Sequence, residues 1–284
     1  MGSRGLTLFA VPWKNEDGSI NNLRIRRLKD KLGVRAVPSA EVEFDGAKAY
    51  VIGDPNRGFY YMMEALNLSR ICNMVASIGI MRRSYSEAKA YAERRDAFGK
   101  RLCEFPMVQK TLTELKQKLE AETAAIFELI QLYEKITNGE ATKEEEALNR
   151  LLIAILKKES AEQAIAFAHE AIEMHGGNGY IEDFVTPRLL RDAQVLTVWE
   201  GTANILGLEV IRLVNKFSVH EIFIADLKER LDGMDAPELV KWREDLKVRL
   251  EEFASDDRVT QELKAKSLAK EMAELYEQVV YVGM

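Results

Sequence analysis

The amino-acid sequence predicts a mainly α-helical protein with a small β part, organised as a partial β-domain, a four-helix bundle and extra C-terminal helices. Three observations support this fold class. The first 55 residues contain short runs rich in β-branched and aromatic residues, bounded by turns. From about Gly58 onward, apolar residues recur every three or four positions over long stretches. After Asn215 the helical pattern continues with a much higher content of charge.

Four segments near the start have the composition of strands. They cover residues 6–12, 22–28, 40–46 and 49–53. The sequences NEDGS and FDGAK supply the Asp and Gly residues that turns favour. The segments predict one small sheet, which is marginal by itself. Because the chain begins almost on its first strand, we expect neighbouring strands to be missing.

Four long helices are predicted next, over residues 59–95, from Pro106, over 144–174 with Thr142 as a cap, and from about Thr202. The second helix carries a narrow apolar stripe, which near-antiparallel helices in a bundle require. Its members are Val108, Leu112, Leu115, Leu119, Ile126 and Leu129. Glu122 is the one polar residue on this stripe, and an edge position or an ion pair is the simplest expectation.

Three amphipathic, heavily charged segments after Asn215 predict an added helical layer. The predicted domains are therefore a partial β-domain at 1–56, the bundle at 57–216 and an additional helical segment at 217–284. Acidic residues outnumber basic ones in the last segment, which is the opposite of what a DNA-binding tail needs.

The composition fits a globular protein, with 47% hydrophobic and 30% charged residues among 284. A net charge of −6 gives no global attraction to nucleic acid or anionic membranes. No apolar run approaches the ~20 residues of a membrane span, and no signal-peptide pattern opens the chain. Cys72 and Cys103 lack metal or redox spacing and are expected to be buried free thiols. These features predict a cytoplasmic protein.

Four segments contain residues that could do chemistry: RRDAFGKRL, HGGNGY, PRLLRDAQ and VWEGTAN. Taken singly, the first is typical of a cationic helix end, the second of a tight turn, and the third of surface charge or an ion pair. The first segment lacks the spacing of a phosphate-binding glycine loop, and the second is weak evidence for dinucleotide binding because it follows a helix rather than a strand. The histidines have no ligand spacing, so no metal site is predicted. They are His169, His175 and His220.

The fourth segment places Glu200 between Trp199 and a Gly-Thr pair at the start of an apolar helix. One interpretation is structural, because acidic residues are favoured near a helix N-terminus and Thr202 or Glu200 could cap exposed N–H groups. The other is a partly dehydrated carboxylate that removes a proton from a substrate. The segment alone leaves both interpretations open.

In their order along the chain, these segments are far more specific than any one of them. The chain resembles the carboxy-terminal half of the acyl-CoA dehydrogenase family over about residues 2–216. The matching motifs are Arg-x-x-Phe-Gly at 95–99, Gly-Gly-Asn-Gly-Tyr at 176–180, Arg-Asp-Ala at 191–193 and Glu-Gly-Thr at 200–202. Trp199, PRLLRD and ANILGLEVIR are most similar to the branch that contains the alkylation-response flavoprotein.

The resemblance implies FAD-dependent α,β-dehydrogenation of an acyl-CoA thioester, with Glu200 as the base that takes the α-proton. Some members place the base on the first bundle helix beside an arginine, but the matching residue here is Ser69, next to Arg70, and serine cannot act as that base. Arg70 is then expected near the CoA end, and Trp199 in the wall of the acyl pocket. An apolar acyl chain over Glu200 would expel water and make it a stronger base.

The resemblance also implies an FAD site, in which Arg95 contacts the pyrophosphate of a flavin held mainly by a neighbouring subunit. The matching positions are Arg95, Ala97, Phe98, Leu102, Phe105, Val108, Glu173, Gly176, Gly177, Thr202 and Asn204. Glu173 departs from the family, which has glutamine there. A carboxylate beside a pyrophosphate needs a proton or a partner.

Family members have an amino-terminal helical domain and several strands before the point where this chain starts. We therefore expect one subunit of a split enzyme, which forms a homo-oligomer and joins a separate amino-terminal half, with an electron-transfer flavoprotein as a further partner. One alternative is an inactive or truncated oligomeric module. Another is a DNA-binding protein, because a basic patch opposed only by Asp30 is predicted. Its members are Arg24, Arg26, Arg27, Lys29, Lys31 and Arg35.

Overall fold

The computed structural model of the chain describes residues 5–284. They divide into two compact units, of which the first ends at Ser69 and the second covers Arg70–Met284. The predicted fold class is confirmed, since long helices dominate and the strands are few and short. Among the residues described, no helix is long and apolar enough to cross a membrane.

The first unit contains the four predicted strands, β1 (Leu8–Ala10), β2 (Leu23–Leu28), β3 (Ala40–Phe44) and β4 (Tyr50–Ile52). The prediction of one sheet is wrong. The strands form two separate antiparallel pairs, β1 with β4 and β2 with β3. The buried side chain of Asn21 connects the segments around these pairs by donating to the carbonyl oxygens of Pro12 at 2.9 Å and Lys48 at 2.8 Å.

The arginines of β2 are paired with acidic residues on and beside β3. Arg24 lies 2.8 Å from the carboxylate of Asp45, Arg27 lies 2.8 Å from that of Glu41, and Arg26 pairs with Glu43. The prediction that Asp30 alone opposes this patch is therefore wrong. The cross-strand carboxylates pair with three of the six cations of the patch, which weakens the case for nucleic-acid binding.

Eight helices lie within residues 5–284. Their bounds are α1 (Gly58–Arg94), α2 (Pro106–Thr137), α3 (Lys143–His175), α4 (Thr186–Gln194), α5 (Ala203–Phe217), α6 (Val219–Leu231), α7 (Pro237–Ser255) and α8 (Arg258–Val282). The predicted bundle helices agree with α1, α2, α3 and α5 to within one or two residues at all four starts and at the two ends that were predicted, those of α1 and α3. Thr142 caps α3 as predicted, since its hydroxyl accepts a hydrogen bond from the Glu145 amide. The short helix α4 was not predicted.

One hydrophobic core runs through the second unit, and α3 lies at its centre. Every residue of α3 from Leu151 to Ala161 is buried. The core also includes residues of α8, such as Met272 and Tyr276. Gly207 of α5 allows a close approach of α8, because a Cβ at this position would lie only 3.4 Å from the Ala265 Cβ.

The two cysteines are free, as predicted, but their predicted burial is wrong for Cys72. This side chain is exposed on α1, and Cys103 is half-buried. The residues on either side of Cys72, Ile71 and Asn73, are buried, so helical periodicity turns Cys72 away from the core.

A buried charged cluster links α2, α3 and α8. Lys118 of α2 donates hydrogen bonds to Glu159 Oε1 of α3 at 3.1 Å and to Glu277 Oε2 of α8 at 2.7 Å. Glu122, one turn further along α2, is fully buried, and within residues 5–284 neither of its carboxyl oxygens has a hydrogen-bond partner. The edge position predicted for Glu122 is therefore wrong.

One ammonium in this cluster faces three buried carboxyls, so some of the carboxyls must hold protons. Burial, together with the charge of Glu277, raises the pKa of Glu122 well above its ordinary value. Burial alone would lower the pKa of Lys118, but the surrounding carboxylates outweigh burial and raise it. Both directions fit a cluster in which Lys118 is charged and Glu122 is protonated.

Glu277→Gln is expected to reduce the pH dependence of stability. Burial raises the pKa of Glu277 from 4.5 to about 7, although Lys118 opposes the shift. Folding raises the pKa of Glu277. Its contribution to the free energy of unfolding is therefore fully present below the pKa of the unfolded chain, 4.5, and is lost as the pH rises through about 7. Thermal unfolding should therefore show the wild-type midpoint falling relative to the variant's across that window. The control Glu274→Gln, at a half-exposed position, is expected to give a curve of midpoint against pH parallel to that of wild type. A parallel curve for Glu277→Gln would contradict the assignment.

Candidate functional site

Glu200 lies on a strained turn between α4 and α5. After α4 a short 3-10 turn covers Val195–Thr197, and the backbone then takes positive φ at Glu200 (60°) and Gly201 (106°). A glutamate in this region costs of order ~1–3 kcal/mol and persists only where surrounding contacts impose it. Thr202 occupies the cap position of α5, but its side chain makes no capping hydrogen bond. The structure therefore contradicts Thr202 as a side-chain cap.

Two buried cations hold this turn by its main chain. Arg70 of α1 donates from Nε to the Glu200 carbonyl oxygen at 3.0 Å. Lys157 of α3 donates from Nζ to the Gly201 carbonyl oxygen at 2.7 Å. Burial, with the neighbouring charge of Arg70, lowers the pKa of Lys157 to about 8, although Glu200 opposes the shift. Adjacent carbonyls are thus fixed from two different helices.

The surroundings of Glu200 are apolar and open. Glu200 is half-buried, whereas the neighbouring Trp199 is 41% exposed. Val198, Ile205 and Leu208 also expose much of their apolar surface. A carboxylate next to such a surface would lose water when an apolar group covers it.

A second group of predicted residues lies on a two-residue hairpin after α1. Its strands are β5 (Asp96–Ala97) and β6 (Lys100–Arg101), and the loop residues Phe98 and Gly99 have φ of 53° and 88°. Positive φ at both positions is typical of a type I′ turn. Phe98 is 96% exposed, which leaves its ring available to a ligand or another chain.

The remaining hairpin-side positions follow directly in the chain. Arg95 is exposed at the end of α1. The half-buried positions are Ala97, Leu102, Phe105 and Val108. Phe105 precedes Pro106 at the start of α2, and the Lys100 ammonium lies 4.4 Å from its ring centroid. The hairpin therefore combines cations with apolar surface.

The glycine segment forms a 3-10 turn over Gly176–Tyr180 at the end of α3. Gly176 has a φ of 58°. A Cβ at Gly179 would clash with the Ile172 carbonyl oxygen, whereas one at Gly177 would meet no atom within 4 Å. Gly179 is thus required for packing, while the backbone at Gly177 is open.

The structure brings the arginine and glycine segments together around a cleft of about 350 Å³. Arg94 and Arg95 line it from one side, and His175 and Asn178 line it from the other. Tyr91 connects the two sides, because its ring stacks on His175 at 4.1 Å and its hydroxyl accepts a hydrogen bond from Asn178. Asn204 does not line this cleft. It lies in a separate cleft of about 340 Å³ with Gly207 and Lys266.

Glu173, the departure from the family pattern, is exposed on α3 and has a basic neighbour. His169 Nε2 lies 3.3 Å from its carboxylate and pairs with it when protonated. Glu170 lies nearby, and the ligand atoms of these three residues are within 4.8 Å of one another. Such an exposed group does not by itself make a metal site. In the third segment, Arg191 forms the predicted kind of ion pair, a bidentate one with Glu182.

Sequence reasoning missed Lys157. The signal was present, because two adjacent lysines directly follow the apolar run LLIAIL in the middle of a predicted bundle helix. Lysines are rarely buried without a specific partner. The pattern alone could not identify that partner, since the Gly201 carbonyl is 44 residues away in sequence.

Comparison with known proteins shows the family. The family model described as acyl-CoA dehydrogenase, C-terminal domain, matches residues 56–214. Acyl-CoA dehydrogenase family member 11 of Caenorhabditis elegans is 36% identical over 96% of this chain and 46% of its own length. AidB of Escherichia coli is 35% identical over 75% of this chain and 38% of its own.

The fold comparison gives the same result. The crystal structure of C. elegans ACDH-11 in complex with C11-CoA superposes with a TM-score of 0.90 and 34% identity, over 99% of this chain and 50% of that one. The chain belongs to the acyl-CoA dehydrogenase family. It spans about half the length of the relatives it matches, or less.

Proposed function

We propose that the chain supplies the catalytic base and part of the cofactor cleft of an FAD-dependent acyl-CoA dehydrogenase. The observation that carries this proposal is the placement of Glu200, on a strained turn fixed by Arg70 and Lys157 and bordered by exposed apolar side chains. Fixing a base in this way reduces the cost of orienting it during the reaction.

The residues present suit the pyrophosphate and isoalloxazine parts of FAD. The cleft lined by Arg94 and Arg95 offers two guanidinium groups, which match phosphate oxygens in geometry and charge. The open backbone at Gly177 permits close approach, and the exposed ring of Phe98 offers an apolar surface. Gly176 and Thr202 are further proposed contacts. Asn204 lines a separate cleft, so it would contact another part of FAD or the FAD of another subunit. Glu173 is compatible with them only while it is protonated or paired with His169.

In the proposed reaction Glu200 takes the α-proton of an acyl-CoA thioester and becomes neutral. Trp199 borders the acyl chain and excludes water from the carboxylate. The Glu200 main-chain N–H polarises the thioester carbonyl, which stabilises the charge that develops as the proton leaves. Arg70 and Ser69 lie toward the CoA end. When bound, FAD supplies the acceptor for the hydride that leaves the β-carbon, and the product is the 2,3-enoyl-CoA.

The rest of the cleft would come from protein outside these 284 residues, which carries the amino-terminal half. A homo-oligomer would bring Arg95 to a neighbouring subunit's cofactor, and an electron-transfer flavoprotein would reoxidise the flavin. The test is to purify the chain alone and together with the amino-terminal part. Yellow flavin absorbance that appears with the complement and bleaches with acyl-CoA supports the proposal. A colourless mixture contradicts it.

A catalytically inactive oligomeric module is the second candidate. The observation that favours it is an apolar groove of about 780 Å³ between α1, α2 and the C-terminal end, lined by residues such as Ile78, Phe127 and Tyr281. An apolar surface of this kind is common at interfaces. A stable oligomer that binds no flavin in the mixing experiment would support this candidate.

Two glycine substitutions separate cofactor binding from packing. Gly179→Ala is expected to lower the free energy of unfolding by ~1–3 kcal/mol, because its Cβ has no space beside Ile172. Gly177→Ala should leave that free energy unchanged and weaken flavin binding, since its methyl group would point into the open space. Chemical denaturation and flavin titration of the assembled protein measure the two effects. Equal flavin affinity in Gly177→Ala and wild type would remove Gly177 from the site.

A further inference from the structure

We infer that Lys157 is a positioning residue for Glu200, acting through the carbonyl of Gly201. This inference rests on the proposed function for its catalytic meaning, but its structural content can be tested on the chain alone. Lys157 lies on α3, in the central helix of the core, and reaches the turn that carries Glu200.

The geometry assigns a specific task to Lys157. The Glu200 carbonyl belongs to the peptide unit between Glu200 and Gly201, and the Gly201 carbonyl belongs to the next peptide unit, which follows the positive φ of Gly201. The Lys157 ammonium holds this oxygen at 2.7 Å. Arg70 holds the preceding carbonyl at 3.0 Å. Because both carbonyls accept hydrogen bonds from buried cations, a change of Glu200 to negative φ is expected to move their oxygens away from these donors.

Lys157 is poorly explained by stability. It is 1% exposed, and within residues 5–284 it forms no salt bridge of 4.0 Å or less. Burying a lysine without a carboxylate partner is costly, and its reduced pKa of about 8 reflects the same burial. An apolar side chain of similar length would fill the space at lower cost. A buried ammonium that instead holds one carbonyl beside the proposed base points to a role in the site.

The neighbouring Lys158 provides a matched control. It is also buried, at 5% exposure. Its ammonium is directed to Glu162 at 2.9 Å, one turn further along α3, and does not reach the Glu200 turn. Replacing either lysine with methionine removes one buried charge from the same part of the helix, but only one replacement removes the bond to Gly201.

Amide hydrogen exchange on the purified chain tests the inference without flavin. The Leu206 amide donates to the Thr202 carbonyl at 3.0 Å and reports on the residues that follow the turn. In Lys157→Met, exchange over residues 199–206 should be about tenfold faster or more, the size expected for losing a hydrogen bond from a charged donor. The thermal midpoint should stay the same or rise. Lys158→Met should exchange like wild type in this segment.

Two results would overturn the inference. One is wild-type exchange at residues 199–206 in Lys157→Met. The other is a lowered midpoint with faster exchange throughout the second unit, which would indicate a merely structural role. If Lys157→Met does not fold, Lys157→Gln replaces it, because the glutamine amide is too short to reach the Gly201 oxygen and the same local increase is expected.

The assembled enzyme gives an independent readout. In Lys157→Met the rate of flavin reduction should fall while the affinity for acyl-CoA stays close to that of wild type, because the turn that orients Glu200 is no longer fixed. Lys158→Met keeps the bond to Gly201 and should reduce flavin at the wild-type rate. An unchanged rate in Lys157→Met argues against the inference. If the wild-type protein shows no flavin reduction at all, the proposed function fails. The exchange result still shows whether Lys157 fixes the turn that carries Glu200.

Discussion

Glu200→Gln is expected to keep flavin binding and to lose reduction of the flavin by acyl-CoA, with the rate lowered by ~10²–10⁴-fold. Glutamine has nearly the same shape as glutamate, so the half-buried side chain fits the same position. It cannot accept the α-proton, because its amide is not a useful base. Stopped-flow absorbance of the assembled protein after mixing with acyl-CoA measures this rate.

Two further variants make the result specific. Glu238→Gln, on an exposed position in the first turn of α7, should reduce flavin at the wild-type rate. Glu200→Gly removes the base and also relieves the positive φ, so it should lose activity while the free energy of unfolding rises by ~1 kcal/mol. Reduction at the wild-type rate in Glu200→Gln would show that another group takes the proton.

Lys118→Met is expected to destabilise the fold by ~3–5 kcal/mol, the cost typical of breaking a buried ion pair from one side. Lys118 is the cation that faces the buried carboxyls of Glu159 and Glu277. Without it, these carboxyls must either hold a proton or remain charged in an apolar core. Urea denaturation near neutral pH measures the loss.

Lys116→Met is the matched control for this substitution. Lys116 lies on the same helix, its side chain is 58% exposed, and it is 3.6 Å from Glu120. Exposed pairs of this kind contribute less than ~1 kcal/mol. The Lys118→Met deficit should also shrink in acid, because protonation removes the uncompensated charge of the carboxyls. Equal stabilities for the two variants would show that Lys118 does not support the cluster.

The sequence predicted the helices well and the β part less well. The reason is that a helix leaves a repeat within a short stretch of sequence, whereas strand pairing depends on residues far apart in the chain. The apolar repeat of the second helix is local, and its predicted start at Pro106 agrees with α2. The arrangement of strands depends on distant contacts such as the Asn21 side chain with Lys48, which no local pattern contains. Likewise, the sequence contains the acidic residues that pair with the β2 arginines, but it does not show which positions of β2 and β3 face each other.

The candidate site shows the same division. Glu200 stood out because a carboxylate between Trp199 and Gly201 is unusual, and family resemblance then suggested its role. The means by which the turn is fixed could not be predicted, since Arg70 and Lys157 approach it from helices far away in the chain. For Glu122, the sequence led to a wrong prediction. A polar residue on an apolar stripe suggested an edge, because its buried companions Glu159 and Glu277 come from other helices.

The contact between Gly207 and Ala265 has a consequence for how the protein can be shortened. The helix that starts just after Glu200 lies directly against the last helix of the chain. Residues separated by about a fifth of the sequence are therefore expected to unfold together. A truncation or a protease cut ahead of Arg258 would leave the surviving helices with uncovered apolar flanks, and the shortened protein would aggregate although it still carried its carboxylate at Glu200.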